Sequence, residues 1–252
     1  MNIFSLFKRK LIYKFKKKIL IDNENLNLNL NSLDDLLHYY GSDKADIFLK
    51  NKTTGHGFSK FYQNKLIDFK YKKINILEIG SYSGASAAAF TKFFPNSNIF
   101  CFDINISNFI YKSKKIHVFG LDIKNKTRVE KTLNLILTKF NIKEFDVIID
   151  DGSHNLNDIL ITLKSFFKLL KKKGLFIIED FKYPNYYKYN KNIEHIYVDE
   201  FLKNLEDKKI SPSKIFTENE QIKLMSSISK IKIYKGNLKD SDIAFITKNE
   251  VI

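Results

Sequence analysis

Residues 74–86 read INILEIGSYSGAS, an apolar run that ends in a turn between two glycines. The run from Ile74 to Ile79 predicts a short buried strand, and the turn after it predicts the start of a helix. Glycine between a strand and a helix lets the backbone approach a ligand closely. The spacing of Gly80 and Gly84 differs from the dinucleotide fingerprint GxGxxG, and Glu78 stands two places before the first glycine. The segment therefore predicts a ligand-binding turn in an α/β fold.

The alternation of short apolar strands with helices continues along the chain. Strands are predicted at 74–79, 98–102, 116–119, 145–150 and 175–179, with helices at about 84–94, 126–140 and 156–170. Such alternation is typical of a parallel sheet with helices on both faces. Residues 230–234 and 242–247 flank Gly236-Asn237 and predict an antiparallel hairpin. We therefore expect a mostly parallel, seven-stranded sheet that ends in this hairpin.

The composition is that of a globular chain with a basic surface. The 252 residues include 43 Lys and Arg against 28 Asp and Glu, which gives a net charge of +15, while 23 Phe and 13 Tyr supply a core. This aromatic content excludes a wholly disordered chain, and the single cysteine, Cys101, excludes a disulfide scaffold or a four-cysteine zinc site. Because only Arg9 and Arg128 are arginines, the lysines are interpreted as a solvated surface and not as a nucleic-acid site.

Three regions are expected: a basic amphipathic tail and linker at 1–30, a helical lid region at 31–73, and an α/β core at 74–252. In the tail, four apolar residues recur at helical spacing among lysines: Phe4, Phe7, Leu11 and Phe15. This pattern is typical of a helix on an anionic membrane surface. A frayed tail or a helix packed on the domain would explain it equally well, so these interpretations stay open. The sequence shows neither a spanning apolar stretch nor a signal peptide, so a cytoplasmic chain is expected, with membrane-surface contact through residues 1–20 as the variant.

Two acidic residues follow the next strands of the predicted sheet. Asp103 comes directly after the strand at 98–102, about twenty residues beyond the glycine turn, where an acid accepts hydrogen bonds from ribose hydroxyls. Asp122 lies just past the strand at 116–119, where it would flank an adenine edge. The turn and these two acids together predict a nucleoside-containing ligand.

A second group of polar residues ends two further strands. Asp150, Asp151 and His154 follow the strand at 145–150, and Glu179 and Asp180 end the strand at 175–179. Neighbouring parallel strands lie about 4.8 Å apart, so these side chains are expected to converge beside the glycine turn. Clustered carboxylates repel one another unless a positive charge sits between them, and a hard divalent cation suits oxygen ligands. Because consecutive strand residues point to opposite faces, Glu179 and Asp180 can share a cation only if the chain is already leaving the strand.

The glycine turn, Asp103 and the late hairpin resemble class I S-adenosylmethionine-dependent methyltransferases over roughly residues 74–248. The resemblance implies a Rossmann-like fold in which Gly80, Ser81 and Gly84 line the methionine part of the cofactor. It further implies that Asp103 holds the ribose, that Asp122 lies near the adenine, and that Glu78 anchors the floor of the site. The remaining residues assigned to the cofactor site on this resemblance are Ser42, Asp43, Lys44, Ser86 and Asp150.

The Asp-x-x-His spacing, followed by paired acids after the next strand, resembles the metal-dependent sugar O-methyltransferases of macrolide and capsular-sugar type. The resemblance implies that Asp151, Glu179 and Asp180 bind magnesium or manganese and that His154 is the general base. Glu179 stands where some members carry Asp, so its place as a direct ligand is the least secure of the three. The upstream segment Tyr40-Gly41-Ser42-Asp43-Lys44 also resembles a signature of that group, in a region that helps to close the cofactor site.

These features predict an enzyme that methylates a sugar hydroxyl with S-adenosylmethionine and a divalent cation. The expected acceptor is a nucleotide-linked, heptose-like sugar for capsule or surface polysaccharide, and a homo-oligomer is expected. A methyltransferase of catechol-like phenols and, from another class, a nucleic-acid-binding protein are the alternatives. Tyr39, His56 and Tyr62 could belong to an acceptor pocket or to local packing, and the aromatic, basic segment 183–191 could hold the acceptor or be a solvated loop.

Overall fold

The computed structural model describes residues 3–24, 30, 32–48, 52–182 and 196–250. Segment 183–191, which we considered as an acceptor loop, lies outside the described residues, as does much of the low-complexity stretch at 23–31.

The helices are α1 (Ile3–Phe15), α2 (Leu33–Tyr40), α3 (Ser59–Leu66), α4 (Ala85–Phe93), α5 (Lys126–Lys139), α6 (Leu156–Phe166), α7 (Val198–Glu206) and α8 (Glu218–Ser227). The strands are β1 (Ile19–Leu20), β2 (Ile47–Phe48), β3 (Thr53–Thr54), β4 (Ile74–Ile79), β5 (Ser97–Asp103), β6 (Tyr111–Lys112), β7 (Ile116–Gly120), β8 (Phe145–Asp150), β9 (Leu170–Glu179), β10 (Ile228–Lys235) and β11 (Asp242–Lys248).

The central sheet has seven strands in the order β10-β11-β9-β8-β4-β5-β7. The five strands from β9 to β7 pair in parallel, whereas β11 pairs antiparallel with both β9 and β10. This arrangement confirms the predicted mostly parallel sheet and its antiparallel hairpin. It also confirms the predicted neighbours, since β8 lies between β4 and β9. β9 begins at Leu170, earlier than the predicted strand, because Phe145 pairs with Leu170 before a register shift brings Val147 opposite Leu175.

Both faces of the sheet are apolar, and each is covered by its own layer. Side chains of successive strand residues point to opposite faces, so Leu77 and Ile79 of β4 join the cluster under α5 to α8. Ile74 and Ile76 of the same strand join the cluster under α2, α3 and α4. The unbroken apolar strands seen in the sequence are therefore the consequence of burial on both sides.

The region at 31–73 begins with a capped helix, α2. Ser32 accepts a hydrogen bond from the Asp35 backbone, and the Asp35 carboxylate accepts one from the Ser32 backbone, so α2 carries a full capping box. Gly41 ends the helix in the left-handed conformation, with φ of 75°. α2 packs on α4, and this contact holds residues 42–48 over the carboxyl edge of the sheet.

The structure confirms that the basic tail forms a helix, α1, as the spacing of its apolar residues predicts. This helix packs on the core through one face. Within the described part of the chain, no helix combines the length and the apolar character that crossing a bilayer requires.

The imidazole of His117 on β7 should make the protein sensitive to mild acid. Its ring packs against Phe140 and Phe100, and burial, with the charge of Lys139, lowers the pKa of His117 from 6.5 to about 4. The unfolded chain therefore binds this proton first, and stability falls as the pH drops from about 6.5 towards 4. We expect His117→Phe to reduce the difference in unfolding free energy between pH 7 and pH 5, measured by urea titration. His38→Phe, at the surface of α2, is the matched control, and an unchanged pH dependence in His117→Phe would contradict the assignment.

Candidate active site

The turn after β4 is built for close backbone approach. Gly80 has φ of 90°, and a Cβ on it would lie 1.9 Å from the carbonyl oxygen of Asp151. The Asp151 backbone N–H in turn donates to the carbonyl of Ile79 at 2.9 Å. Gly84 has φ of 80°, and a Cβ there would lie 2.3 Å from the ring of Phe109. Glycine is thus required at both positions, because the loop after β8 presses on the turn at Gly80 and the Phe109 ring presses on it at Gly84.

Glu78 lies fully buried beneath this turn. Its Oε1 accepts a hydrogen bond of 2.5 Å from Ser86, whereas its Oε2 has no hydrogen-bond partner among the described residues. Burial raises the pKa of Glu78, although the charge of Lys44 and the bond from Ser86 oppose the rise. A buried carboxylate oxygen aimed at no protein donor is a group that a bound ligand could satisfy.

Asp103 ends β5 and ties the turn to the neighbouring strand. Its two carboxylate oxygens accept from the backbone N–H groups of Tyr82, at 2.7 Å, and Asn105, at 2.5 Å. Each carboxylate oxygen has a further lone pair, so these bonds orient the side chain and still leave acceptor capacity. An acid in this place is the residue expected to accept hydrogen bonds from ribose hydroxyls.

Two cavities meet at this edge of the sheet, and Gly80, Asp103 and Gly152 line both of them. The larger, of about 670 Å³, is lined by these predicted cofactor residues: Ser42, Asp43, Lys44, Gly80, Ser81, Ser86 and Asp103. The smaller, of about 480 Å³, has Asp122 and the apolar Leu121 and Ile123 in its wall. A long ligand with a polar end and a flat apolar end would span the two.

Three of the predicted cofactor residues support the cavities without lining them. Glu78 lies under the turn, Gly84 packs on Phe109, and Asp150 is buried below Gly152, whose N–H donates to it at 3.2 Å. Burial raises the pKa of Asp150 to about 8. Asp150 therefore shapes the loop that carries Asp151 and His154.

The acidic side chains of β8 and β9 converge beside the larger cavity, as the strand order predicts. Asp151, His154 and Asp180 each offer one ligand atom, and these atoms lie within 4.8 Å of one another. His154 Nε2 lies 3.9 Å from Asp151 Oδ1. His154 Nδ1 is buried and has no hydrogen-bond partner within the described ranges. Two oxygens and one imidazole nitrogen thus surround a common point at the mouth of the cavity.

The backbone is held in an unusual conformation at two of these three residues. His154 has φ of 54° and Asp180 has φ of 51°, both in the left-handed region that residues other than glycine rarely adopt. Consecutive residues of a strand point to opposite faces, which would keep Asp180 away from the cation if it lay in β9. However, β9 ends at Glu179, so the chain has already left the strand at Asp180. Such strain is maintained where the surrounding structure fixes a side chain in place, and it is concentrated at functional sites.

Glu179 points elsewhere, so the structure does not bring this predicted ligand into the group of three. One of its oxygens accepts a hydrogen bond from the buried Tyr62 hydroxyl, and the other pairs with Lys44 Nζ at 2.6 Å. Burial raises the pKa of Glu179 well above its usual range, and the charge of Lys44 opposes that rise. The role of Tyr62, which the sequence left open, is to hold Glu179.

Lys44 is the permanent cation of the site. Its side chain is almost fully buried, and Nζ also pairs with Asp151 Oδ2 at 2.5 Å. Burial lowers the pKa of Lys44, but the carboxylates of Asp151 and Glu179 outweigh it, and the net pKa lies well above the usual value. The ammonium neutralises part of the carboxylate charge, and Asp151 Oδ1 still faces His154.

His56 lies on the other side of the group, in contact with Asp180. Its Nδ1 lies 3.0 Å from Asp180 Oδ1 and 2.8 Å from Ser241 Oγ. Burial lowers the pKa of His56, whereas the hydrogen bond and the charge of Asp180 raise it. The two effects of Asp180 outweigh burial, so the pKa of His56 is raised. The imidazole therefore orients Asp180. Ser241 was missed, because nothing in the local sequence relates a residue beside β11 to one 185 positions earlier.

The donor set suits a hard divalent cation. Three ligand atoms within 4.8 Å of one another can all approach an ion at the usual distances of about 2.0–2.6 Å with small side-chain rotations. Carboxylate oxygens suit magnesium or manganese, and an imidazole beside them is tolerated by manganese better than by magnesium. The residues of the site thus fit a metal, with Asp151 and Asp180 as the oxygen ligands.

Comparison with known proteins places the chain among methyltransferase folds. No protein-family model matches it. The mycinamicin VI 2''-O-methyltransferase of Micromonospora griseorubida is 27% identical over 135 residues, which are 50% of this chain and 31% of the relative. The chain therefore spans well under two thirds of that curated relative.

Solved structures show the same fold. The MycE methyltransferase of the mycinamycin biosynthetic pathway, in complex with Mg, SAH and mycinamycin VI, superposes with a TM-score of 0.65 at 20% identity over 86% of this chain and 54% of that chain. A second MycE crystal form, with Mg and SAH, gives a TM-score of 0.63 at 20% identity, over 86% of this chain and 55% of that one. The predicted class I methyltransferase fold is confirmed, and so is the resemblance to a sugar O-methyltransferase.

The close approach at Gly80 predicts an unequal response to two alanine substitutions. Gly80→Ala combines a positive φ with a clash against the Asp151 carbonyl, whereas Gly41→Ala has a positive φ and no atom within 4 Å of its Cβ. Backbone strain alone costs about 1–2 kcal/mol. We expect Gly80→Ala to lower the free energy of unfolding, measured by urea titration, by at least about 1 kcal/mol more than Gly41→Ala. Equal losses would show that β4 and the loop after β8 do not pack as described.

Proposed function

We propose that the chain is an S-adenosylmethionine-dependent O-methyltransferase that acts on a sugar hydroxyl with the help of a divalent cation. The observation that carries the proposal is the convergence of Asp151, His154 and Asp180 at the mouth of a cavity shaped for a nucleoside ligand. The relative's printed name supports methyl transfer to an oxygen, and the solved neighbour supports Mg and SAH as the bound species of this fold.

The cofactor site follows from the two cavities. We assign the larger one to the methionine end of S-adenosylmethionine, beside Gly80, Ser81 and Ser86, and the smaller one to the adenine, beside Asp122. Asp103 lines both and is already oriented by two backbone N–H groups, so it accepts from the ribose hydroxyls that lie between them. When bound, S-adenosylmethionine supplies a methyl group that its sulfonium makes electrophilic.

The chemical difficulty lies in the acceptor, since a sugar hydroxyl is barely ionised near neutral pH. Asp151 and Asp180 would hold a divalent cation, whose positive charge would lower the pKa of a hydroxyl beside it. His154 accepts the hydroxyl proton, because its Nε2 lies 3.9 Å from Asp151 Oδ1 beside the cavity and imidazole is the commonest general base in enzymes. His56 and Ser241 keep Asp180 in place, and Lys44 and Tyr62 keep Glu179 from adding another unpaired charge. The resemblance implies Glu179 as a third ligand. Its carboxylate would have to break its ion pair with Lys44 before it could bind the cation.

For the acceptor, we propose a nucleotide-linked sugar of the heptose type, in the setting of capsule or surface-polysaccharide synthesis. The lining of the larger cavity includes Lys16, whose positive charge suits a phosphate, together with the edges of the largely buried Tyr40 and Tyr111. A catechol-like phenol remains the second candidate, because two adjacent hydroxyls would meet the same cation and base.

Removal of the cation should stop turnover. We expect chelation by EDTA to abolish methyl transfer from labelled S-adenosylmethionine, and added magnesium or manganese to restore it. Asp151→Asn and Asp180→Asn should each weaken manganese binding, measured by calorimetry, at least about tenfold. Asp146→Asn is the matched control, since Asp146 is a buried, paired acid at the opposite end of β8. Full turnover in EDTA would remove the metal from the proposal.

The role of His154 can be separated from that of a ligand. If it is the base, His154→Ala should lower turnover about a hundredfold or more and leave manganese affinity within about twofold. Loss of manganese affinity that matches the loss in Asp180→Asn would instead make His154 a ligand.

The acceptor class can be tested with one panel. Labelled cofactor, manganese and the purified chain are incubated with nucleotide-linked heptoses, nucleotide-linked hexoses and catechols. We expect label in the heptose products. Label in the catechol alone would establish the phenol alternative.

A further inference from the structure

Helix α1 is attached to the core through one face. Leu6 is buried, and the Tyr13 ring packs edge-on against Phe109 with the ring centroids 6.4 Å apart. Arg9 donates to the Ile104 carbonyl at 2.9 Å, and Lys16 donates to the Ser107 carbonyl at 2.9 Å. At 100° per residue these four side chains lie within about 80° of arc. They fix how α1 is rotated about its own axis.

The opposite face of α1 carries an exposed apolar ridge, formed by Phe4, Phe7, Leu11 and Phe15. Their side chains are 79%, 61%, 41% and 78% exposed. On the helical wheel they fall within about 80° of arc, centred about 180° from the attached face. Three phenylalanines in one row are far more apolar surface than scattered exposure explains.

Basic side chains surround the ridge. Lys8 lies on one side of it and Lys14 on the other, and Lys14 Nζ lies 5.8 Å from the centre of the Phe15 ring. Residues 3–21 include seven Lys or Arg and no acidic residue. A cavity of about 370 Å³ between α1 and β7 is lined by Lys10, Lys14 and Arg128, and none of its lining residues in the described chain is acidic. Burial and, to a smaller extent, the charge of Arg128 lower the pKa of Lys10. A bound anion would offset this repulsion between the basic groups of the cavity.

We propose that the apolar ridge of α1 docks on an anionic phospholipid surface. The ridge provides side chains that insert at the level of the headgroups, and the flanking lysines and the basic cavity meet lipid phosphates. A second copy of this chain is a poorer occupant, because a ridge-to-ridge contact would bring two sets of lysines together. Nucleic acid would use the lysines but would leave the phenylalanines exposed.

Docking through α1 would bring the active-site mouth near the membrane. Lys16, on the attached face of α1, also lines the larger cavity, and Asn108 of that cavity's wall accepts from Lys16. The methyltransferase core would then work close to a lipid surface. None of the four ridge residues lines that cavity, so the two functions can be tested separately.

The test is co-sedimentation of the full chain with extruded phosphatidylcholine vesicles, with and without phosphatidylglycerol, at low and high ionic strength. We expect binding only to vesicles that contain phosphatidylglycerol, and weaker binding as salt is added. The combined variant Phe4→Ser, Phe7→Ser, Phe15→Ser should weaken binding at least about tenfold. The matched control Ile67→Ser, Leu135→Ser, Ile222→Ser removes three exposed apolar residues from other faces and should bind as the parent does.

Charge is tested in the same assay. Lys8→Glu with Lys14→Glu should weaken binding about tenfold or more, whereas Lys131→Glu with Lys223→Glu, on α5 and α8, should change it little. All variants should keep the far-ultraviolet circular dichroism and the S-adenosylhomocysteine affinity of the parent. No binding to anionic vesicles would overturn the proposal. A concentration-dependent dimer that the serine variant abolishes would assign the ridge to a second copy instead.

Discussion

The structure depends on how negative charge is accommodated at the carboxyl edge of the sheet. β8 and β9 are neighbours, so Asp151, Glu179 and Asp180 are brought together whatever their mutual repulsion costs. Lys44 offsets part of this charge from the segment after α2, and His56 supports Asp180 from the segment before α3. The segments before the core thus stabilise the acid cluster, because Lys44 and His56 reduce the repulsion between its carboxylates.

The same edge explains why the glycine turn has its form. The loop after β8 must pass over the end of β4 to place Asp151 and His154 beside the cavity, and it passes so close that Gly80 can carry no side chain. The left-handed backbone at His154 and Asp180 is the counterpart of this crowding. The proposed cofactor cavity and the acid cluster therefore share one stretch of backbone, which couples the shape of the cavity to the positions of the acids.

Sequence patterns predicted the sheet well, since its strands are buried on both faces and are read as unbroken apolar runs between helices. They also predicted which strand ends would meet, because strand order follows from the fold class. What they could not give was the pairing within the site. Whether Glu179 faces Lys44 or a shared ligand depends on where β9 ends, and the contact of His56 with Ser241 joins segments 185 positions apart. Side-chain partners of this kind are set by tertiary packing and leave no local signature.

We propose that Asp151 and Asp180 hold a divalent cation beside a methyl-transfer cavity while Lys44 balances the remaining charge. An anomalous difference map from a crystal soaked with manganese and S-adenosylhomocysteine would test this proposal. We expect one strong peak between the carboxylates of Asp151 and Asp180, next to the His154 ring. A map with no peak there, and with Lys44 still paired to Asp151 and Glu179, would contradict it.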